Sequence, residues 1–399
     1  MKLILISNPG SASRKYALYN GEELLAALHF EYVRKKVVCT VRDGENEKQV
    51  KVEFADLADT VRHIGKILQD EGYINERNKL FAIVVRLVAP GDYFAEDRIV
   101  DNEFMKNLEI AKKRAPLHLP VVADEISHFS EIFPEVKIAA ISDSAFHWSK
   151  PDLMKYYPFD TEVADKFGIK RYGYHGLSYG FVTNYLEEQG ILQDKLIAAH
   201  IGSGSSVAAI LEGNPMDTSM GYSPLEGLMM STRSGSMDVA AAVAIKRELG
   251  LKTDEDLERY LNKEAGLLGV SGFSDDMREI IQRRDEGDPK ATFAHALFVY
   301  RVQNLIGQMA ASLGGVDALV FTATIGERSD EIRHYVCQKL KYLGFMLEDE
   351  KNREPEFTGR HALISAKDSK PIYIVKTDET AEMIRKALVL MAEMQEVEE

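Results

Sequence analysis

Apolar runs of strand length, separated by glycine- and serine-rich turns, set the pattern of this chain. Residues 196–199 form one such run, and residues 207–211 form the next. Between them stands Gly202-Ser203-Gly204-Ser205-Ser206, too rich in Gly and Ser for a strand interior. Glu212-Gly213-Asn214-Pro215 reads as the turn that follows. The pattern predicts a hairpin whose tip exposes main-chain N–H groups. Such a tip can hold phosphate oxygens, because glycine lets the backbone come close and the amides donate. An ordinary solvated hairpin turn has the same composition. The first residues repeat the pattern: an apolar run over 2–7, the turn Asn8-Pro9-Gly10-Ser11-Ala12-Ser13, and a second run over 16–19 closed by Asn20-Gly21. Arg14 and Lys15 add positive charge beside that tip. Two copies of one hairpin, far apart in sequence, predict a duplicated domain with two lobes presenting polar tips to one cleft.

The remaining periodicity fills in these lobes. Residues 24–32 and 37–42 read as strands, with Gly44-Glu45-Asn46 as a turn. Residues 56–68 have helical spacing, with Leu57, Val61, Ile64 and Leu68 on one face. Residues 80–88 are nearly continuous apolar positions, the mark of a strand covered on both faces. Arg86 interrupts them, and its charge is costly to bury alone. It is either a structural ion pair or a cation delivered to a bound anion. Residues 104–113 predict a helix, 115–118 a loop and 137–142 a strand. Asp143 stands at that strand's C-terminal end, where ligand-binding side chains gather in open α/β sheets. A capping role also accounts for an Asp there. His175 lies between glycines on a predicted loop, where a structural hydrogen bond is the ordinary use of a histidine. Residues 179–187 follow as helix. Arg233 sits among small residues in a polar loop, and a surface arginine is the plain alternative.

Helices are predicted over 239–249 and 254–261, a Gly/Ser loop over 267–274, and a long helix over 293–313 that stops at Gly314-Gly315. Residues 317–323 read as a strand and 324–328 as the loop after it. Ser329 then caps a helix with Ile332, Val336 and Leu340 on one face. Strand, glycine loop and helix N-terminus together form a general anion or nucleotide site. Residues 371–375 form a last strand. Glu379 opens a final helix whose apolar face includes Ile384, Leu388 and Met391. An acidic residue there either complements the helix dipole or binds a metal.

Composition narrows the classes. A chain of 399 residues is long enough for two full cores. The net charge of −14, with no basic block, argues against nucleic acid as a general partner. No apolar stretch reaches membrane-spanning length, and the first residues enter a strand with no leader pattern, so a cytoplasmic location is expected. Two cysteines, Cys39 and Cys337, are too few for a thiolate metal site and read as separate thiols.

Four stretches carry a resemblance. They are Asn8-Pro-Gly-Ser-Ala-Ser-Arg-Lys15, Arg171-Tyr-Gly-Tyr-His-Gly176, the long run over 217–235, and the run over 261–272. Together they resemble the acetate kinase family along the whole chain. That resemblance implies an α/β fold of two duplicated ribonuclease-H-like lobes around a central cleft, the sugar kinase/Hsp70/actin fold. It implies an N-terminal lobe of residues 1–146 plus a returning helix 381–399, and a nucleotide-binding lobe of residues 147–380. It implies a cytoplasmic homodimer that transfers a phosphoryl group reversibly between ATP and acetate or another short carboxylate, giving acetyl phosphate and ADP, with Mg²⁺.

A carboxylic acid of pKa about 4 to 5 is already ionised near neutrality, so this chemistry needs no general base. It needs positive charge, because one anion must approach another. The resemblance assigns Arg86 and Arg233 to that task, Asp143 to catalysis, and His175 to steadying the group in transfer. It gives Asn8 and Glu379 to the metal. It places Asn8, Ser11, Ser13, Lys15, His200, Gly202, Ser203, Gly204, Asp276, Met277, Arg278, Thr324, Ile325, Gly326 and Arg328 against the nucleotide. It lines the acyl pocket with Arg86, Val88, Leu117, Tyr174 and Pro224. The chain departs from the family's usual spelling at Ser203 for Asn, Thr324 for Gly, Arg328 for Asn, Tyr174 for Phe, and Ala89-Pro90 for His-Gly. Thr324 adds bulk where backbone lies against the nucleotide. A second reading therefore keeps the acyl-phosphate chemistry but uses pyrophosphate or phosphate in place of ATP and ADP, or propionate as the acid. A remote third is a non-catalytic binding protein on the same scaffold.

Overall fold

A computed structural model describes residues 2–10, 13–33, 36–44, 46–75, 79–112 and 119–398. The chain divides into two compact units, Met1–Ala145 with Asp378–Glu399, and Phe146–Thr377.

The first unit holds an eight-stranded sheet. Its strands are β1 (Leu3–Pro9), β2 (Ser13–Asn20), β3 (Glu23–Val33), β4 (Lys36–Asp43), β5 (Asn46–Val50), β6 (Leu80–Leu87), β7 (Arg98–Ile99) and β8 (Lys137–Ser142). The order is β5-β4-β3-β2-β1-β6-β8-β7. Strands β1 to β5 pair antiparallel in sequence, whereas β6 runs parallel to both β1 and β8. Alternation sets the two faces. Leu3, Leu5, Ile83 and Val85 share a core with Val61, Ile64 and Leu68 of the helix Thr60–Asp70, and with Ile126 and Phe129 of the helix Leu119–Ile132. The intervening Ile4, Ile6, Ala82 and Val84 are equally buried. The helix Glu379–Glu398 contacts β1, β6 and β8 and buries Met383, Ile384, Ala387 and Met391.

The second unit holds a six-stranded sheet of β9 (Lys195–Ile201), β10 (Ser205–Leu211), β11 (Asn214–Thr218), β12 (Ala318–Thr322), β13 (His361–Leu363) and β14 (Ile372–Val375). The order is β11-β10-β9-β12-β14-β13, with β12 parallel to β9 and β14. The two sheets therefore share a six-strand plan: an antiparallel triplet (β3-β2-β1 and β11-β10-β9), two parallel strands on its inner edge, and an antiparallel edge strand; β4 and β5 extend the first sheet's antiparallel run to five. The duplicated hairpin is β1–β2 in one unit and β9–β10 in the other. One face of the second sheet packs under the helix Pro289–Ser312, through Phe298, Val302 and Ile306; the other packs on Tyr179, Val182 and Leu186 of the helix Gly176–Glu188.

Several local readings change. Asn214 and Pro215, expected in a turn, begin β11, because β10 supplies an antiparallel partner. Part of the expected loop over 267–274 is the helix Gly266–Ser271. The expected loop over 324–328 is the helix Ala323–Arg328, where the Glu327 carboxylate accepts from the Ala323 N–H at 3.0 Å. The helix Leu119–Ile132 and strands β5, β7 and β13 were not foreseen. Arg14 does not add free charge to the first tip. It is buried and bonds Glu125 at 3.0 Å, and Glu125 also accepts from Ser7 and Tyr16. The expected loop over 115–118 lies outside the described residues.

Candidate active site

In the first unit, Arg86 is the second-to-last residue of β6, and Asp143 follows β8. Parallel pairing brings the two strand ends together. The Arg86 guanidinium bonds Asp143 Oδ1 at 2.9 Å through one nitrogen and Glu379 Oε2 at 2.7 Å through the other. Burial alone would lower the Arg86 pKa; the two carboxylates outweigh it and raise it, so the charge stays fixed. Asn8 and Lys15 face each other across the β1–β2 register. With Thr380, the neighbour of Glu379, they line a cavity of about 470 Å³. Ser13 opens β2 and is half-buried, as is Val88 just beyond β6. Ser11 and Leu117 lie outside the described residues.

In the second unit, His175 is the last residue before the helix Gly176–Glu188 and has φ 59°, in the left-handed region. Its Nδ1 lies 2.8 Å from Ser206 Oγ, which also meets the Tyr179 hydroxyl at 2.5 Å. The ring stacks on His200, with centroids 4.0 Å apart. His200 is held in turn by Ser178 Oγ at 2.9 Å.

Across the second tip, a Cβ placed on Gly204 would lie 3.2 Å from His175 Nε2 and 3.6 Å from an Arg233 nitrogen. Glycine there leaves a space that both side chains border. Arg233 is partly buried, and it donates to the Pro224 carbonyl at 3.4 Å and to Met230 Sδ at 3.7 Å. Among the described residues no carboxylate pairs with it, and burial lowers its pKa. A partly buried cation in that state is costly unless an anion arrives. Pro224 thus lies beside Arg233. Tyr174 is buried and donates its hydroxyl to the Tyr222 carbonyl at 2.7 Å, so that hydroxyl is already engaged.

Ser203, Asp276, Met277, Arg278, Thr324, Ile325 and Arg328 line one cavity of about 610 Å³ in the second unit, within the range of small-molecule sites. Thr324 borders this cavity and leaves it open. Gly326 is buried behind it, where Arg333 bonds its carbonyl at 2.9 Å. Gly202 is also buried, its N–H taken by the Gly204 carbonyl and Ser205 Oγ. These two glycines shape the cavity's surroundings without lining it.

The acetokinase family model matches residues 3–385. The chain belongs to the acetokinase family. It is 36% identical over 387 residues to the acetate kinase of Caldanaerobacter subterraneus subsp. tengcongensis, covering 94% of this chain and 96% of that relative. Among solved structures it is similar to a propionate kinase from Francisella tularensis, with 32% identity and a TM-score of 0.88 over 97% of this chain and 99% of the other. It is also similar to the acetate kinase of Porphyromonas gingivalis, with 30% identity and a TM-score of 0.86 over 98% and 100%. The duplicated α/β fold read from the repeated hairpins is the fold of these acetokinase structures.

Sequence reasoning missed three supports of this acetokinase site. Ser206 and Tyr179 hold His175, and Glu327 joins the Ala323 and Thr377 N–H groups. Ser206 carried a faint signal, a hydroxyl where the tip passes into an apolar strand. The other two carried none.

Proposed function

We propose that this chain is an ATP-dependent acetate kinase, forming acetyl phosphate and ADP reversibly. The observation that carries this reading is Arg233. It is a partly buried guanidinium with no carboxylate partner among the described residues, beside His175 and a glycine tip. Such a group favours an arriving anion and gains most when charge spreads over a phosphoryl group in transfer. Arg86 is the second cation assigned to that group. Asp143 and Glu379 keep it charged and aimed, and Val88, Tyr174 and Pro224 are assigned to the acyl group. No side chain need remove a proton from acetate. The His175 imidazole steadies the transferring oxygens, its ring fixed by Ser206 and by the stack on His200.

Mg²⁺ fits the donor set. Two carboxylates meet at one guanidinium, and magnesium takes one or two carboxylates together with waters and substrate phosphates. Glu379 and Asn8 are its assigned holders, with Asp143 organising the site; the ion would neutralise phosphate charge when bound. Asn8, Ser13 and Lys15 are assigned to phosphate. The 610 Å³ cavity is assigned to adenosine, and its volume with Thr324 on the wall supports ATP over pyrophosphate. The helix Val239–Glu248 has no buried residue and exposes Val239 and Val243, which supports a homodimer.

Trapping acetyl phosphate as its hydroxamate, with ATP or pyrophosphate as donor and acetate or propionate as acceptor, tests the reading. Product with ATP and acetate is expected. Product with pyrophosphate and none with ATP overturns the donor. No product with any pair overturns the activity.

A further inference from the structure

Lys150 is 1% exposed, and no carboxylate pairs with it among the described residues. Its Nζ donates to main-chain carbonyls alone: Arg171 at 2.6 Å, Tyr172 at 3.0 Å and His147 at 3.4 Å. Two of these belong to the run that leads into His175. His147, from the same turn as Lys150, brings its Nε2 within 3.0 Å of the Tyr174 carbonyl. The N–H groups of the run are held from elsewhere. Those of Tyr172 and Gly173 donate to the Gly221 carbonyl at 3.0 and 3.2 Å, and that of Arg171 donates to the Lys155 carbonyl at 2.7 Å. Beyond this run the backbone takes positive φ at Gly173 and again at His175. A histidine keeps that conformation only when its flanks are fixed.

We propose that Lys150 is a positioning residue for His175, its ammonium fixing the carbonyls of Arg171 and Tyr172 and so the path of the loop that brings the imidazole to Ser206. The inference rests on the role given to His175 above. Three N–H donors are needed for three carbonyls, and only the protonated amine has three. Burial, then Arg171 and Lys155, lowers the Lys150 pKa to about 7, while Asp217 on β11 opposes the shift. Among the described residues those are the charged groups facing it, together with the His147 ring of its own turn; Glu226 reaches Arg171 instead. The contact is therefore complete on the acid side of neutrality; as pH rises the neutral amine keeps two N–H donors for three carbonyls, so one bond is lost and the loop is held less firmly, with kcat falling alongside.

Wild type, Lys150→Met and Lys150→Arg are compared by hydroxamate assay between about pH 6 and 9, and by the NMR resonance of the His175 Cε1–H. Lys150→Met is expected to lose about 10- to 100-fold in kcat at the acid end, with both KM values within about two-fold, to shift the His175 resonance, and to lose the alkaline limb. Lys150→Arg, charged throughout, is expected to keep most of the rate and the wild-type resonance while also losing the limb. Wild-type kcat and an unmoved resonance in Lys150→Met overturn the proposal. A moved resonance with full rate in both Lys150→Met and His175→Ala keeps the positioning and overturns the role given to His175. Should Lys150→Met fail to fold, a persisting alkaline limb in Lys150→Arg overturns the proposal, and a lost limb supports it.

Discussion

His175 lies flat on His200, ring centroids 4.0 Å apart and planes within 19°. The two rings come from different elements, one from the residue before a helix and one from β9. Each is tied by a serine, His175 to Ser206 and His200 to Ser178. His200 is therefore a backstop that fixes the plane of His175. His200→Ala is expected to cost about 10-fold in kcat with KM for ATP nearly unchanged, less than His175→Ala. A rise in KM with kcat intact shows that His200 serves the nucleotide directly.

The two arginines are in opposite electrostatic states, which separates their substitutions. Arg233→Met and Arg86→Met are both expected to lower kcat by about 10²–10³ or more. Their stabilities move in opposite directions. Arg233 is partly buried without a carboxylate, so methionine is expected to stabilise modestly, by on the order of 1 kcal/mol. Arg86 holds Asp143 and Glu379, and its removal strands two carboxylates, costing about 2–4 kcal/mol. Urea unfolding of both variants beside wild type checks the pair of signs.

Gly266 sets the Arg233 loop. It has φ 63°, and a Cβ there would lie 2.2 Å from the Met230 carbonyl oxygen and 2.8 Å from the Arg233 N and O. All three are backbone atoms, which cannot swing aside. Gly266→Ala is expected to destabilise by about 2–5 kcal/mol and to lower kcat far more than a distant Gly→Ala change. Gly250, also at positive φ but with nothing within 4 Å of its Cβ position, is the control.

Lys150 gives a stability slope of known sign. Its folded pKa is lowered to about 7, against an unfolded value of about 10.4. Between these values the unfolded chain binds the extra proton, so this residue makes stability rise with pH. The difference in unfolding free energy between wild type and Lys150→Met is expected to grow in the wild type's favour from pH 7 to 9. Rate and stability thus respond to the same proton in opposite directions.

Cys39 and Cys337 are both buried, and burial pushes the Cys39 thiol up to about 12 and Cys337 higher still. Thiolate is the reactive form, so neither thiol is expected to react with a disulfide reagent until the chain unfolds. Rapid labelling of the native protein refutes that.

Much of this was legible in the chain because local grammar and tertiary structure agree. The hairpins at Asn8 and Gly202 stand out because an apolar run, a Gly/Ser turn and a second run need no distant partner to be read. The helix Gly266–Ser271 does not. It opens on a glycine, lacks a side-chain cap, and is held by the Leu267 and Leu268 N–H groups donating to Met230 and Ser231 carbonyls. Arg86 could be narrowed only to an ion pair or an anion site. Its pairing with Glu379, 293 positions away, joins a strand end to a helix that no local pattern connects. Lys150 carried no signal, since its acceptors are carbonyl oxygens common to every residue.

The last helix has a consequence for biosynthesis. The sheet face bearing Ile4, Ile6, Ala82 and Val84 packs beneath the helix Glu379–Glu398, which the ribosome makes only after the whole second unit. At roughly 5–20 residues per second, the nascent first unit waits on the order of ten to fifty seconds while residues 146–377 are translated. During that interval its apolar face is bare and Arg86 lacks Glu379. A cell making this protein must therefore shelter an unfinished half, and the Arg86 cluster is complete only once that helix has been made.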